Sequence, residues 1–236
     1  MSQVDKQAGQ VRRMFDAIAP RYDLLNRLLS LSVDRYWRRI ARKRLAQLQP
    51  DPSSIQILDL CTGTGDLAFE MARLGSVVGC DFSHSMLVLG RKKERRRRAR
   101  VRFVEGDVLR LPLPDSIFDA VTIAFGLRNL EDLRCGLQEV ARVMKKGATL
   151  LVLEFSIPTI PVFRSLYLFY FTRILPLIGN LISRRRGPYS YLPASVREFP
   201  PPPELAQIIQ ECGFTEVSVE SLTGGIASLY LARRTE

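Results

Sequence analysis

An open α/β fold built on a mostly parallel sheet is what this sequence predicts, on three observations. Short apolar runs recur near 55–60, 76–80, 101–104, 118–124 and 148–155, with helical spacing between most of them. That alternation is the pattern of successive βαβ units. The first run passes through a glycine-rich turn, Asp59-Leu60-Cys61-Thr62-Gly63-Thr64-Gly65-Asp66, into Leu67, Ala68, Met71 and Ala72, whose spacing suits a helix. Near the other end, two runs at 214–220 and 226–232 flank Thr223-Gly224-Gly225. They read as an antiparallel pair added to the sheet, seven strands in all, with helices on both faces.

The remaining elements follow in order. In 1–50, Trp37, Ile40, Ala41, Leu45 and Leu48 share one helical face, so this part is expected to be a helical cap. Residues 51–156 hold the sheet core, 157–203 an apolar insertion, and 204–236 the C-terminal helix (Leu205 to Cys212) and hairpin. At 236 residues and 46% hydrophobic, the chain suffices for one α/β core as a single domain. Its four cysteines (Cys61, Cys80, Cys135, Cys212) show no metal-ligand spacing, so no metal is expected. They do not suggest a disulfide scaffold, and a reducing, cytoplasmic compartment is the simpler reading. Met1 to Gln10 is polar, with no signal peptide visible. The net charge of +11 favours anionic partners, nucleic acid or a lipid surface.

The chemistry is carried by the carboxylates at the strand ends. A strand running through glycines into a helix places free backbone N–H groups beside a ligand. Asp81 closes the second strand sixteen residues after Gly65, well placed to accept hydrogen bonds from two ribose hydroxyls. Gly63-Thr64-Gly65-Asp66-Leu67-Ala68 formally fits the dinucleotide pattern G-x-G-x-x-A, but that pattern alone is weak. Asp59 lies four residues before Gly63, Asp66 opens the helix, and Gly106-Asp107 brings another acid to the same edge. Acids there repel a pyrophosphate and attract a cation. S-adenosylmethionine, with sulfonium and ammonium groups beside its nucleoside, meets that demand.

Several separated blocks resemble one family. Asp59–Asp66, Asp81 and Gly106-Asp107 together resemble a class I S-adenosylmethionine-dependent methyltransferase, a single Rossmann-like domain. Tyr22-Asp23-Leu24-Leu25-Asn26-Arg27-Leu28-Leu29-Ser30 with Trp37, Phe125-Gly126-Leu127-Arg128-Asn129, and Arg142 to Ala148 leading into Leu153-Glu154-Phe155-Ser156 resemble the menaquinone/ubiquinone biosynthesis C-methyltransferases. The chain departs from that pattern in four places. Asp34 stands near the usual histidine, Cys61 replaces the first turn glycine, Ala124 a serine, and Lys145-Lys146-Gly147-Ala148 the usual Lys-Pro-Gly-Gly.

The resemblance implies S-adenosylmethionine as cofactor. Gly63, Thr64 and Gly65 would lie along its methionine part, with Asp59 facing the ammonium through water. Asp81 would take the ribose, and Asp107 with the Val108 backbone the adenine. It also implies C-methylation of a polyprenylated quinol, with a demethylated naphthoquinol ranked first and a benzoquinol second. A ring carbon becomes nucleophilic once an ortho hydroxyl loses its proton, so a group must manage that proton. Asp66, Arg128 and Asn129 are expected to form one hydrogen-bonded set for this, a structural ion pair being the alternative. His84, the only histidine, reads as a helix-start residue on the adenosine side. The apolar stretch Phe163 to Ser183 reads either as a helix packed on the core or as an apolar lid over the substrate, and Arg184-Arg185-Arg186 after it suits peripheral contact with anionic lipid on the inner face of the membrane. The basic run Arg91 to Arg100 has no interleaved aromatics and reads as a solvated helix face. No nucleic acid is expected, an RNA methyltransferase staying the less favoured reading. A homodimer is left open.

Overall fold

The computed structural model describes residues 7–30, 32–49, 55–97, 99–174 and 188–235. Seven strands form one sheet: β1 (Ile55–Leu60), β2 (Gly75–Asp81), β3 (Val101–Glu105), β4 (Phe118–Ala124), β5 (Met144–Phe155), β6 (Phe214–Leu222) and β7 (Ala227–Arg234). Their spatial order is β3-β2-β1-β4-β5-β7-β6. Strands β1 to β5 pair in parallel, and β7 inserts antiparallel between β5 and β6. The expected fold class and the C-terminal antiparallel pair are both present.

The central strands read as continuous apolar runs because both faces are covered. Leu58, Leu60, Val121, Ile123, Leu150 and Val152 point into one core layer, against Leu137 and Val140 of α5 (Leu133–Val143) and Leu205 and Ile209 of α8 (Pro202–Glu211). Ile57, Ala120, Leu151 and Leu153 point into the other. There they meet Trp37, Ala41 and Leu45 of α2 (Val33–Leu48), Leu67 and Met71 of α3 (Asp66–Met71) and Leu87 of α4 (His84–Arg97). His84 opens α4, as expected of a helix-start residue.

Helix α1 (Ala8–Leu29) lies across the carboxyl ends of the strands, held by polar contacts. Arg12 donates to Glu105 at 2.8 Å, the Ser83 hydroxyl to Asp16 at 2.6 Å, and the Thr64 hydroxyl to Asp23 at 2.6 Å. After β5 come α6 (Pro161–Phe169), a wider π-helical turn (Tyr170–Ile174), and α7 (Pro188–Glu198). The sequence expectations for 175–183 and for Arg184-Arg185-Arg186 fall outside the described residues. No helix among the described residues is long and apolar enough to cross a membrane.

The order reverses between β1, which leads outward to β2, and β4. The loops leaving these two strands therefore diverge and open a crevice at their carboxyl ends. Two residues there carry positive φ without being glycine: Cys61 at 51° after β1, and Phe125 at 58° after β4. Each left-handed residue costs of order 1 kcal/mol. Gly126 makes the approach of the two loops possible, since a Cβ placed on it would lie 2.3 Å from the Cys61 Cβ. Gly126→Ala is therefore expected to lower stability by about 2 kcal/mol in urea unfolding. Adding Cys61→Gly removes the clash and should restore most of that loss. A Gly126→Ala protein as stable as the parent would sink this account of the crevice.

Candidate functional site

Three cavities adjoin in the crevice. The first is lined by Asp81, Phe82, Met86, Asp107, Val108 and Leu109, among others. Its wall carries the carboxylates Asp81, Asp107 and Glu131 and neither lysine nor arginine. Asp81 accepts from the backbone N–H of Gly63 at 2.8 Å and of Ser83 at 2.9 Å. Burial pushes its carboxyl up to about 6, against the lowering effect of these amides. Asp107 accepts from the Leu109 N–H at 3.0 Å and stays exposed enough to meet a ligand, while Val108 beside it is buried.

The second cavity follows the glycine turn, bounded by Asp59, Thr62, Gly63, Thr64, Asp66 and Arg38. Gly65, at the helix entry, has φ 84°, and a Cβ there would meet the Phe103 ring at 2.8 Å, so glycine suits both the turn and the packing. Asp59 sits on the sheet rung opposite Thr122. Its oxygens accept from the hydroxyls of Thr62 at 2.6 Å and Thr122 at 2.7 Å. Burial raises its carboxyl to about 6. The Thr64 hydroxyl is already engaged, donating to Asp23 and accepting from Lys93 at 2.7 Å, so what it offers a ligand is backbone.

The third cavity, of about 430 Å³, is apolar and aromatic. Trp37, Phe125, Phe155, Phe163, Tyr167 and Phe171 wall it, with Phe125 and Phe155 4.4 Å apart between centroids. Two buried ion pairs border it. Arg38 pairs with Asp34, which also accepts from the Ser30 hydroxyl at 2.7 Å. Arg128 Nη1 donates to Glu154 at 2.7 Å and to the Phe125 carbonyl at 2.5 Å. Glu154 accepts as well from the N–H groups of Phe155 and Arg128, at 2.9 and 3.3 Å. Among the described residues, two buried side-chain polar atoms have no hydrogen-bond partner, Arg128 Nε and Tyr167 Oη, and both residues line this cavity. Burial drives the Tyr167 phenol well up, so it is a hydrogen-bond donor rather than a base. Tyr22 and Phe125 line all three cavities and mark their junction.

The structure corrects one expectation. Arg128 and Asn129 do belong together: the Asn129 amide reaches the same Phe125 carbonyl at 3.4 Å and accepts from the Tyr191 hydroxyl at 3.1 Å. Asp66 is not in that set. It pairs with Lys93 at 2.9 Å and Arg97 at 3.7 Å. Burial raises the Asp66 carboxyl, but Lys93, Arg38 and Arg97 together outweigh it and leave a net lowering. The partner of Arg128 is Glu154, to which sequence reasoning assigned no role. Its signal was a single acid inside the apolar run of β5. The described basic run is solvated as expected at Arg91, Lys92, Arg95, Arg96 and Arg97, which are exposed, while Lys93 reaches Asp23 at 2.6 Å and Arg97 also lies over the Phe69 ring at 4.8 Å. Tyr22, Arg38 and Tyr167 are further site residues that spacing did not single out.

Comparison with known proteins agrees with this geometry. The family model described as the ubiE/COQ5 methyltransferase family matches residues 1–234. A demethylmenaquinone methyltransferase of Thermus thermophilus is 48% identical, over 94% of this chain and 100% of that protein. A protein of Geobacter sp. (strain M21) named ubiquinone/menaquinone biosynthesis C-methyltransferase UbiE is 44% identical, over 99% of this chain and 100% of its own length. Among solved structures, a SAM-dependent methyltransferase from Aquifex aeolicus superposes with a TM-score of 0.61 at 19% identity, covering 83% of this chain and 89% of that one, a likeness of fold. By the span of the family match and the identity of these relatives, the chain belongs to the ubiE/COQ5 methyltransferase family.

Proposed function

We propose that the protein transfers the methyl group of S-adenosylmethionine to a ring carbon of a reduced, polyprenylated naphthoquinol, completing a demethylmenaquinol to menaquinol step. One observation carries this reading. A carboxylate-lined cavity without cations opens beside an aromatic cavity whose two unpartnered buried polar atoms suit a flat ring bearing oxygens. The names of the relatives point the same way, and the Geobacter name keeps a benzoquinol as the second substrate reading. The RNA reading is less favoured because the exposed basic run carries no aromatic residue on which a base could stack.

The residues fit the cofactor. In this reading Asp81 accepts the ribose hydroxyls, Asp107 and the Val108 backbone hold the adenine, and Gly63, Thr64 and Gly65 offer backbone to the methionine part. Asp59, held by two threonine hydroxyls, contributes negative charge for the ammonium. When bound, S-adenosylmethionine supplies an activated methyl group. The chain then has to orient the quinol, exclude water and favour its ionised oxygen. Arg128 Nε–H donates to that oxygen, and Glu154 fixes the guanidinium that does so. The Tyr167 hydroxyl donates to the second ring oxygen, and Asn129 with Tyr191 closes the wall beside it. Asp66 takes no part in the proton step; it serves with Lys93 to dock α1 over the turn. The prenyl tail leaves through the apolar side, which calls for peripheral contact with a membrane.

Two outcomes test this reading. With labelled methyl donor and a reduced demethylnaphthoquinol, Arg128→Ala is expected to lower kcat by about 10²-fold or more while S-adenosylmethionine still binds, the scale of a lost oxyanion donor. Tyr167→Phe should act mainly on KM. Label entering RNA and no quinol, or Arg128→Ala at parental kcat, would end the reading. The second concerns pH. Asp59 and Asp81 protonate as pH falls through about 6 in the free protein. A cation and two hydroxyl donors favour their ionised forms. Calorimetry should therefore show affinity for S-adenosylmethionine flat above about pH 7 and falling below 6 by up to about tenfold per pH unit for each coupled carboxyl, with protons released on binding near pH 6. Affinity unchanged from pH 7 to 5 would remove both carboxylates from the cofactor site.

A further inference from the structure

Helix α6 is apolar on two faces. Phe163 and Tyr167 face inward and wall the aromatic cavity. Val162, Leu166 and Phe169 recur at helical spacing on the outer side and are 82%, 66% and 58% exposed, with Ile160 just ahead at 60%. These four are more than half of the large hydrophobic residues exposed among the described residues, gathered in ten positions. A helix apolar all round is normally buried; one with a bare outer stripe has a second apolar medium to meet. Charge identifies that medium. From Phe155 to Arg197 the sequence has no aspartate or glutamate, while Arg164, Arg173, Arg184, Arg185, Arg186 and Arg197 fall within it. An apolar stripe within a stretch of sequence that carries arginines and no acids suits the boundary between acyl chains and anionic headgroups.

We propose that α6 docks the protein on an anionic lipid bilayer through the stripe Val162, Leu166 and Phe169, with Ile160 at its leading end. The helix is then the single layer between the bilayer and the substrate cavity, and Arg164 and Arg173 stay at headgroup level. The proposal rests on the quinol reading for its purpose, since a polyprenylated substrate resides in the bilayer. Its recognition chemistry does not depend on turnover.

The experiment is flotation of the full chain with quinone-free vesicles, of phosphatidylcholine alone or with phosphatidylglycerol. The parent protein is expected to float with the anionic vesicles. Leu166→Glu/Phe169→Glu should partition about tenfold or more weakly, since it drives two charges into the apolar layer. Val162→Ser should fall in between, and Val219→Glu, an exposed position on the far strand β6, should float like the parent. Calorimetric binding of S-adenosylmethionine by every variant verifies folding. Equal flotation of parent and double variant, or no flotation of the parent, overturns the proposal. So does a parent dimer that the double variant converts to monomer without any vesicle binding, for then a second copy covers the stripe. Because no quinone is present, the two readings fail separately. Flotation without methylation of any quinol ends only the quinol reading, and quinol methylation without flotation ends only the docking.

Discussion

The contact between Cys61 and Gly126, where the loops leaving β1 and β4 come together, is the constraint on which the site depends. Parallel strands whose order reverses leave a crevice at their carboxyl ends in any such sheet. Here its width is set by a side chain on one loop meeting a bare backbone on the other. Both loops pass through left-handed residues, Cys61 and Phe125. The Phe125 conformation matters most, for its ring borders all three cavities while its carbonyl receives both Arg128 and Asn129. Strain of order 1 kcal/mol at each position is small against the packing of the sheet, and it fixes the residue around which ligand space is organised.

Charge is handled differently on the two sides of that junction. Toward β2 and β3 the carboxylates take hydrogen bonds from hydroxyls and amides, and among the described residues neither Asp59 nor Asp81 is in an ion pair, though Arg38 acts on Asp59 from farther off. Burial raises both carboxyls to about 6, and these hydrogen bonds offset only part of that rise. Toward α6 the buried charges are paired, Arg128 with Glu154 and Arg38 with Asp34. A buried pair contributes little net stability, because desolvation offsets its attraction, yet removing one partner is expensive. Such pairs are therefore better understood as positioning devices. Glu154 takes one edge of the Arg128 guanidinium and leaves Nε unsatisfied in an apolar space, where a hydrogen bond is worth most.

How far the site was legible follows from which forces are local. The strand order of elements and the turn Asp59–Asp66 were readable because apolar periodicity and glycine placement are properties of short segments. Asp81 and Asp107 were readable as acids at the ends of neighbouring strands, and the family resemblance drew attention to Arg128 and Asn129. The pairing of Asp66 was not readable. An aspartate at a helix start is free to turn either way, and the choice was made by Lys93, twenty-seven residues along, reaching back from α4. Glu154 was visible as an acid in an apolar strand, but its partner depended on the register between β4 and β5. Cys61 in place of glycine read as a substitution that such a turn absorbs. The structure shows that it is accommodated at positive φ because Gly126 gives way across the crevice.

The same comparison of forces explains why the N-terminal helix can complete the site without being part of the sheet's core. Helix α1 contributes Tyr22 and Phe15 to the cavity walls, buries Val11, Ile18 and Ala19, and adds hydrogen bonds and ion pairs to the loops at the strand ends. Exposed or half-exposed pairs of this kind contribute of order 0–1 kcal/mol each. The β1, β4 and β5 layers, by contrast, bury Ile57, Leu58, Val121 and Leu150 almost entirely, at about 1.5–3 kcal/mol per side chain. Helix α1 therefore adds less to stability than the sheet layer does. Asp59 and Asp81 stand on the strands β1 and β2 themselves, so the acidic side of the crevice is fixed by the sheet and the wall opposite it by the docking of α1.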